Sequence, residues 1–162
     1  MGLSDILLVI DMQNDVLKAC GGVSRLLKQI NKRISDYRQA AKPILFIQHN
    51  DEELTKGSRA WRLSPVLDAR PEDIYVEKTH ANGFYHTNLQ EELQKLGVTS
   101  IEFSGAMTPY CVNTTLVFAH GLDYHCSMQH GASSTAPKDH ASRIVNYYEN
   151  TIWEHRFLEF VD

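Results

Sequence analysis

The feature that most constrains the fold of this sequence is a regular alternation between short apolar runs and longer amphipathic ones. The short runs are rich in Ile, Val, Phe and Tyr, which is typical of strands that are buried on both faces of a sheet. We predict these strands over residues 5–10, 43–48, 73–77, 100–104 and 123–128. Because helical patterns separate them, the alternation predicts an α/β fold with a mainly parallel sheet of about five or six strands. Helices should cover both faces, which gives a three-layer, Rossmann-like architecture.

Apolar residues recur at helical spacing between the predicted strands. Val23, Leu26, Ile30 and Ile34 mark one such helix. Further helices are predicted over residues 89–96, 109–120 and 139–148. The tail, residues 153–161, is predicted to be a last short helix.

Length and charge exclude several classes of protein. The chain has 162 residues, which fits a single domain over residues 1–162. Its net charge is −4 with neutral histidines, whereas proteins that bind nucleic-acid backbone usually carry a basic surplus. The apolar runs are too short to span a bilayer, and the start of the sequence does not have the pattern of a signal peptide. The 3 cysteines do not form the dense, even set of a disulfide framework, so we expect a cytoplasmic protein that binds neither nucleic acid nor membrane.

Three reactive side chains lie at or shortly after the ends of predicted strands. Asp11 comes directly after the first strand, Lys78 after the third, and Cys111 after the turn that follows the fourth. Ligands of parallel sheets bind at the carboxyl ends of the strands, so these groups could converge on one crevice. Each residue also has a plainer interpretation: Asp11 as a cap, Lys78 as a solvated surface lysine, and Cys111 as an inert buried thiol.

The surroundings of Cys111 favour the reactive interpretation. Thr108 suits a helix N-cap and Pro109 the first helical position, which puts Cys111 in the first turn. The helix dipole would favour a thiolate there. Backbone N–H groups of this turn and of the preceding loop would be available to hold an oxyanion.

Three segments together carry a resemblance to a known family. They are residues 7–15, residues 77–89 around Glu77-Lys78 and Gly83-Phe84, and residues 105–115. In this order and spacing they resemble the isochorismatase-like cysteine hydrolase family, which includes nicotinamidases and other small-amide hydrolases. Weaker similarity continues through residues 132–134 and His140, so that the resemblance covers nearly the whole chain.

The resemblance implies a catalytic triad of Asp11, Lys78 and Cys111. It also implies a cis peptide bond between Ala106 and Met107, with the backbone N–H groups of Met107 and Cys111 forming the oxyanion hole. The substrate-binding positions that we predict are Gln13, Trp61, Phe84 and Tyr110. Gln13 and Phe84 match positions that often line the family's pocket, while Trp61 and Tyr110 are candidate apolar walls.

Two departures from the family pattern matter for function. Nicotinamidases carry an Asp-x-His arrangement that binds a metal, whereas residues 48–51 of this chain read Gln-His-Asn-Asp with the order reversed. We therefore expect no metal or other cofactor near His49 and Asp51, and a substrate other than nicotinamide. Where the family often has Asp-Ala after the fifth strand, this chain has His130-Gly131.

The leading hypothesis is a cysteine-dependent hydrolase that cleaves a small amide-type substrate through a thioester acyl-enzyme. One alternative is an isochorismatase-type vinyl-ether hydrolase that uses acid catalysis by Asp11. Another is a catalytically silent binding or assembly scaffold of the same fold. The resemblance also implies a homo-oligomer, and the aromatic tail with Trp153, Phe157 and Phe160 could pack on a neighbour or on its own sheet.

Overall fold

The computed structural model describes residues 2–162 and consists of a parallel sheet with helices on both faces. Seven strands form the sheet: β1 (Ile6–Ile10), β2 (Ile44–His49), β3 (Ile74–Lys78), β4 (Ser100–Ala106), β5 (His125–Gln129), β6 (Ser133–Ser134) and β7 (Glu159–Val161). Their order is β3-β2-β1-β4-β5-β7, with β6 paired to β4, and every pairing is parallel. The predicted α/β class and the five predicted strands are confirmed.

Five α-helices and two π-helical segments connect the strands. The α-helices are α1 (Asn14–Ala19), α2 (Val23–Gln39), α3 (Leu89–Lys95), α4 (Asn113–Gly121) and α5 (Ala141–Tyr147). The π-helical segments are Thr108–Val112, which leads into α4, and Tyr148–Trp153, which continues α5. No helix among residues 2–162 combines the length and the apolar composition that a bilayer crossing needs.

The predicted helix over residues 153–161 is wrong. The chain leaves the second π-helical segment at Trp153 and forms β7, which pairs with β5 in the register Ser127↔Glu159. The reason is packing: the indole of Trp153 is fully buried and its Nε1–H donates to Asn113 Oδ1 at 2.9 Å. This anchor holds the tail against its own sheet, where an extended strand can complete the edge.

The central strands separate two apolar cores. On one face α2 packs its buried stripe, including Leu26, Ile30 and Ile34, against β1 and β2. On the other face Leu116 of α4 and Leu93 of α3 join the second core. Since both faces of β1 and β2 are covered, these strands are apolar in nearly every position, as the sequence pattern indicated.

A buried ion pair fastens α2 to the sheet. Glu102 of β4 accepts hydrogen bonds from Arg33 Nε at 2.5 Å and from the Tyr37 hydroxyl at 2.7 Å. Burial and the neighbouring carboxylate raise the pKa of Tyr37, so the phenol stays a hydrogen donor. The paired charge explains how an acidic residue is accommodated in a central strand.

The carboxyl ends of four adjacent strands meet at one edge of the sheet. Ile10 lies opposite Ile47 on one side and Gly105 on the other, and His49 lies opposite Lys78. At this edge the backbone of Gly105 has a φ of 127°, and a Cβ atom there would lie 2.1 Å from the Ile10 carbonyl oxygen. Glycine is therefore required for β4 to approach β1 just before Asp11.

Candidate active site

The structure brings the three predicted catalytic side chains together at this edge. Lys78 Nζ lies 2.9 Å from Asp11 Oδ2 and 3.2 Å from Cys111 Sγ. The side chain of Lys78 is 0% exposed and that of Asp11 is 3% exposed, whereas Cys111 is partly exposed. The plainer interpretations of Asp11 as a cap and Lys78 as a surface lysine are therefore wrong, because both charges are buried against each other.

The backbone of Asp11 is also unusual. Its φ of 50° lies in the left-handed region, where Asp and Asn are tolerated better than most residues. Its N–H donates to the carbonyl of Ile47 at 2.9 Å, which ties the end of β1 to β2. The carboxylate is thus presented from a fixed backbone position.

His49 is a member of this cluster that the sequence analysis missed. Its Nδ1 lies 2.9 Å from Lys78 Nζ, and its Nε2 lies 3.2 Å from Asp51 Oδ2. The signal was present in the sequence, because His49 follows the second predicted strand as Lys78 follows the third. We weighed His49 and Asp51 only as possible metal ligands.

The contacts define the protonation state of the cluster. The Lys78 ammonium has three N–H groups and three acceptors, namely Asp11 Oδ2, Cys111 Sγ and His49 Nδ1. His49 Nδ1 must therefore be unprotonated, and the neutral ring carries its hydrogen on Nε2 towards Asp51. Burial, and then the adjacent Lys78 charge, lower the pKa of His49, which agrees with a neutral ring.

The same donors could in principle bind a metal ion. Ligand atoms of Asp11, His49 and Cys111 lie within 4.8 Å of one another. Lys78 Nζ contacts all three side chains, so a cation bound by the three donors would have to displace a buried ammonium. The chemistry of this cluster therefore favours the lysine over a metal.

The segment that carries Cys111 differs in detail from the prediction. The Ala106–Met107 peptide bond is cis, as the resemblance implied. Cys111 lies in the π-helical segment, and the predicted N-cap role of Thr108 is wrong. The Thr108 hydroxyl instead pairs with Ser133 Oγ at 2.9 Å, while the Met107 carbonyl accepts the N–H groups of Tyr110 and Val112.

The surroundings of Cys111 favour a neutral thiol over the thiolate that was expected from its place in a first helical turn. Burial, and then the adjacent Asp11 carboxylate, raise the pKa of the Cys111 thiol to about 12, which outweighs the opposing effect of Lys78. The resting site is therefore a neutral thiol beside an ammonium–carboxylate pair. A base must remove the thiol proton during the reaction itself.

This protonation state predicts the reactivity of Cys111 without substrate. Alkylation by iodoacetamide should be slow at pH 7 and should rise by about tenfold per pH unit towards pH 11, since only the thiolate attacks. Mass spectrometry of peptides after timed labelling measures the rate at each pH. Cys20 and Cys126 are internal references, because both are buried and their pKa values are also raised, to about 11 and about 12. A rate that is already constant below pH 8 would show a resting thiolate and contradict the assignment.

Gln13 does not have the free amide that a substrate contact would need. Its Nε2 donates to the carbonyls of His49 and Trp61, each at 2.9 Å, and its Oε1 accepts the N–H of His49 at 2.8 Å. Both amide hydrogens are used, and the side chain is fully buried. The structure therefore makes Gln13 a link between loops, in place of the substrate contact that we predicted.

The other predicted pocket residues differ in how deeply they are buried. Phe84 is partly buried, and its ring lies 5.4 Å from Phe118 and 6.3 Å from Tyr124 between centroids. Tyr110 is 60% exposed next to Cys111. Trp61 is partly buried, and its indole Nε1 has no hydrogen-bond partner among residues 2–162. Contact of these three side chains with a substrate stays a prediction.

The departure at His130-Gly131 has a structural role. Glu149 is buried and accepts the N–H of Gly131 at 2.7 Å, and its Oε2 lies 3.0 Å from His130 Nδ1. The His130 ring also stacks on Phe160 with centroids 3.9 Å apart. The two residues thus connect the end of β5 with the second π-helical segment and β7.

Comparison with known proteins finds relatives of this chain in both sequence and structure. A family model, the isochorismatase domain, matches residues 5–154. The chain is 30% identical to a probable inactive nicotinamidase of Arabidopsis thaliana, over 86% of this chain and 86% of that protein. It is 40% identical to the ureidoacrylate amidohydrolase RutB of Methylobacterium radiotolerans, over 41% of this chain and 26% of that protein. A crystal structure of an isochorismatase family protein is 40% identical, with a TM-score of 0.92 and coverage of 97% of both chains.

The family model covers most of the chain, and the relatives share both sequence and fold with it. The resemblance drawn from the three sequence segments is thereby confirmed. The fold of the solved relative also agrees with the parallel sheet and flanking helices described above. This chain belongs to the isochorismatase family.

Proposed function

We propose that this protein is a cysteine-dependent hydrolase that cleaves the C–N bond of a small amide-type substrate without a cofactor. The observation that carries the proposal is the Lys78 ammonium held between a buried carboxylate and a partly exposed thiol. An amidohydrolase among the relatives supports the choice of bond. Family membership supports hydrolysis in general, and the substrate is inferred from the chemistry of the site.

Asp11 is the base in the proposed reaction. Its Oδ2 is paired with Lys78, while its Oδ1 is buried and has no hydrogen-bond partner among residues 2–162. This oxygen is available to take the Cys111 proton as the sulfur attacks the substrate carbonyl carbon. Because the thiol starts protonated, the proton moves to Asp11 in the same step that forms the S–C bond.

The remaining steps return the site to its starting state. Backbone N–H groups of Met107 and Cys111 hold the oxyanion of the tetrahedral intermediate. The C–N bond then breaks, and Asp11 gives its proton to the leaving amine. Water, deprotonated by Asp11, attacks the thioester; the carboxylic acid leaves and the proton returns to the sulfur. Lys78 stays charged throughout and offsets the charge that alternates between Asp11 and Cys111.

A trapped acyl-enzyme tests this proposal. Wild-type protein is incubated with a panel of small primary amides, ureido compounds and esters, quenched in acid, and analysed by intact mass and peptide mapping. We expect an acyl adduct on Cys111, and loss of at least about 10³-fold in turnover for Cys111→Ala. Cys126→Ala is the matched control, since it removes a buried thiol of the apolar core and should keep the adduct.

The outcomes separate the alternative functions. Turnover that survives in Cys111→Ala but disappears in Asp11→Asn would show acid catalysis of the vinyl-ether type and overturn the proposal. Absence of turnover and adduct across the whole panel would instead favour a binding scaffold. An Arabidopsis relative is a probable inactive nicotinamidase, which is why an outcome without turnover is included in the test.

A further inference from the structure

We infer that His49, held by Asp51, is a positioning residue that keeps the Lys78 ammonium centred between Asp11 and Cys111. The inference rests on the proposed function and adds two residues to its machinery. The Lys78 ammonium has three N–H groups, and Asp11 and Cys111 account for two of them. The side chain is 0% exposed, so its third N–H cannot reach bulk water, and His49 Nδ1 at 2.9 Å is its acceptor.

The His49 ring is held in the orientation that this role needs. Its Nε2 lies 3.2 Å from Asp51 Oδ2, which fixes the hydrogen on Nε2 and leaves Nδ1 as an acceptor. The other Asp51 oxygen accepts the N–H groups of Glu53 and Leu54 at 2.9 and 2.8 Å, so that the carboxylate is itself fixed. This arrangement is a chain of hydrogen bonds from a loop to the ammonium.

The backbone of His49 is fixed independently of its ring. Gln13 accepts its N–H through Oε1 at 2.8 Å and donates to its carbonyl through Nε2 at 2.9 Å. The fully buried Gln13 therefore sets where the end of β2 lies, and Asp51 sets how the ring turns. Two separate anchors on one residue are more than a surface histidine would need.

A neutral ring is essential to this role. The charged and titratable groups that face His49 are Asp11, Lys78, Asp51 and, across the ammonium, Cys111. A protonated ring would turn Nδ1 into a donor and would place two cations in contact. Loss of the acceptor would leave one buried N–H of Lys78 unpaired, and the ammonium would shift away from Cys111.

Two substitutions of His49 distinguish the effect of its hydrogen-bond acceptor from the effect of its side-chain volume. His49→Asn keeps a carbonyl oxygen at about the place of Nδ1, whereas His49→Leu fills the site and offers no acceptor. We expect His49→Leu to lower kcat for acylation by roughly 10- to 100-fold with little change in KM, and His49→Asn to restore most of it.

Labelling of Cys111 tests the inference without any substrate. Iodoacetamide should alkylate Cys111 more slowly in His49→Leu than in wild type at each pH between 8 and 10, because a displaced ammonium no longer favours the thiolate. His49→Asn should follow the wild-type curve. His140→Leu, a substitution of a half-exposed histidine before α5, is the control for changes in charge and surface.

Asp51→Asn is a second test of the inference. The Asp51 side chain is 46% exposed, so we expect this variant to fold as the wild type does. It should shift the labelling curve in the same direction by a smaller amount. Labelling and acylation in His49→Leu at wild-type rates would overturn the inference. If the labelling shift occurs while the amide panel shows no turnover, the positioning role holds and the proposed function fails.

Discussion

Replacement of Lys78 by methionine should abolish acyl-enzyme formation and lower the free energy of unfolding by about 3–5 kcal/mol. The ammonium is fully buried, and it pairs with an Asp11 carboxylate that is itself almost inaccessible to water. In Lys78→Met both Asp11 oxygens would be buried without a partner, since Oδ1 already has none among residues 2–162. Urea unfolding followed by circular dichroism measures the stability, and intact mass with the amide panel measures the acylation.

The matched control removes both charges together. Asp11→Asn combined with Lys78→Met leaves no unpaired ion, so we expect most of the lost stability to return while acylation stays absent. Asn also tolerates the left-handed backbone at this position. If the single Lys78→Met variant unfolds at the wild-type urea concentration, the ammonium and the carboxylate do not depend on each other as the structure indicates.

Substitution of Gly105 by alanine should destabilise the protein by about 3 kcal/mol or more, because the added methyl group meets fixed backbone. A Cβ atom would lie 2.1 Å from the Ile10 carbonyl oxygen and 2.6 Å from the Ile10 nitrogen. The φ of 127° adds strain for any L side chain. Relief would require β1 and β4 to separate just where β1 presents Asp11, so acylation should fall along with stability.

Gly97→Ala separates backbone strain from steric contact as causes of the expected destabilisation. Gly97 also has a positive φ, 66°, but an added Cβ would meet nothing within 4 Å. We expect a loss of about 1–2 kcal/mol from backbone strain alone, with acylation unchanged. Unfolding curves and adduct yields of both variants give the comparison. Equal losses in the two variants would show that the contact between Gly105 and Ile10 is unimportant.

The convergence of Asp11, Lys78 and Cys111 could be predicted from the sequence because it follows from topology. Parallel strands present their carboxyl ends at one edge, so residues at the ends of nearby strands can become neighbours however far apart they lie in the chain. His49 obeys the same rule and could have been found by it. His49 and Asp51 were considered only as possible metal ligands, for which the residue order was unfavourable, whereas the actual partner of His49 Nδ1 is the Lys78 ammonium.

Other features depend on contacts between residues that are distant in the sequence, which a local sequence pattern does not predict. The tail became β7 because Trp153 is anchored to Asn113 across the fold. The pKa of Cys111 is raised by burial and by Asp11, which outweigh the opposing effect of Lys78, and neither burial nor the approach of Asp11 can be read from the local sequence. Gln13 has no free amide hydrogen because two distant carbonyls, of His49 and Trp61, come to it.

The saturated ammonium of Lys78 has a consequence for inhibitor chemistry. A ligand carboxylate or carbonyl finds no spare N–H on Lys78, since all three already have acceptors within the protein. Anionic compounds designed to pair with this lysine would gain no affinity from it unless they displaced a buried neighbour. Electrophiles that bond to sulfur, such as small aldehydes and nitriles, leave the cluster intact and are the better starting points.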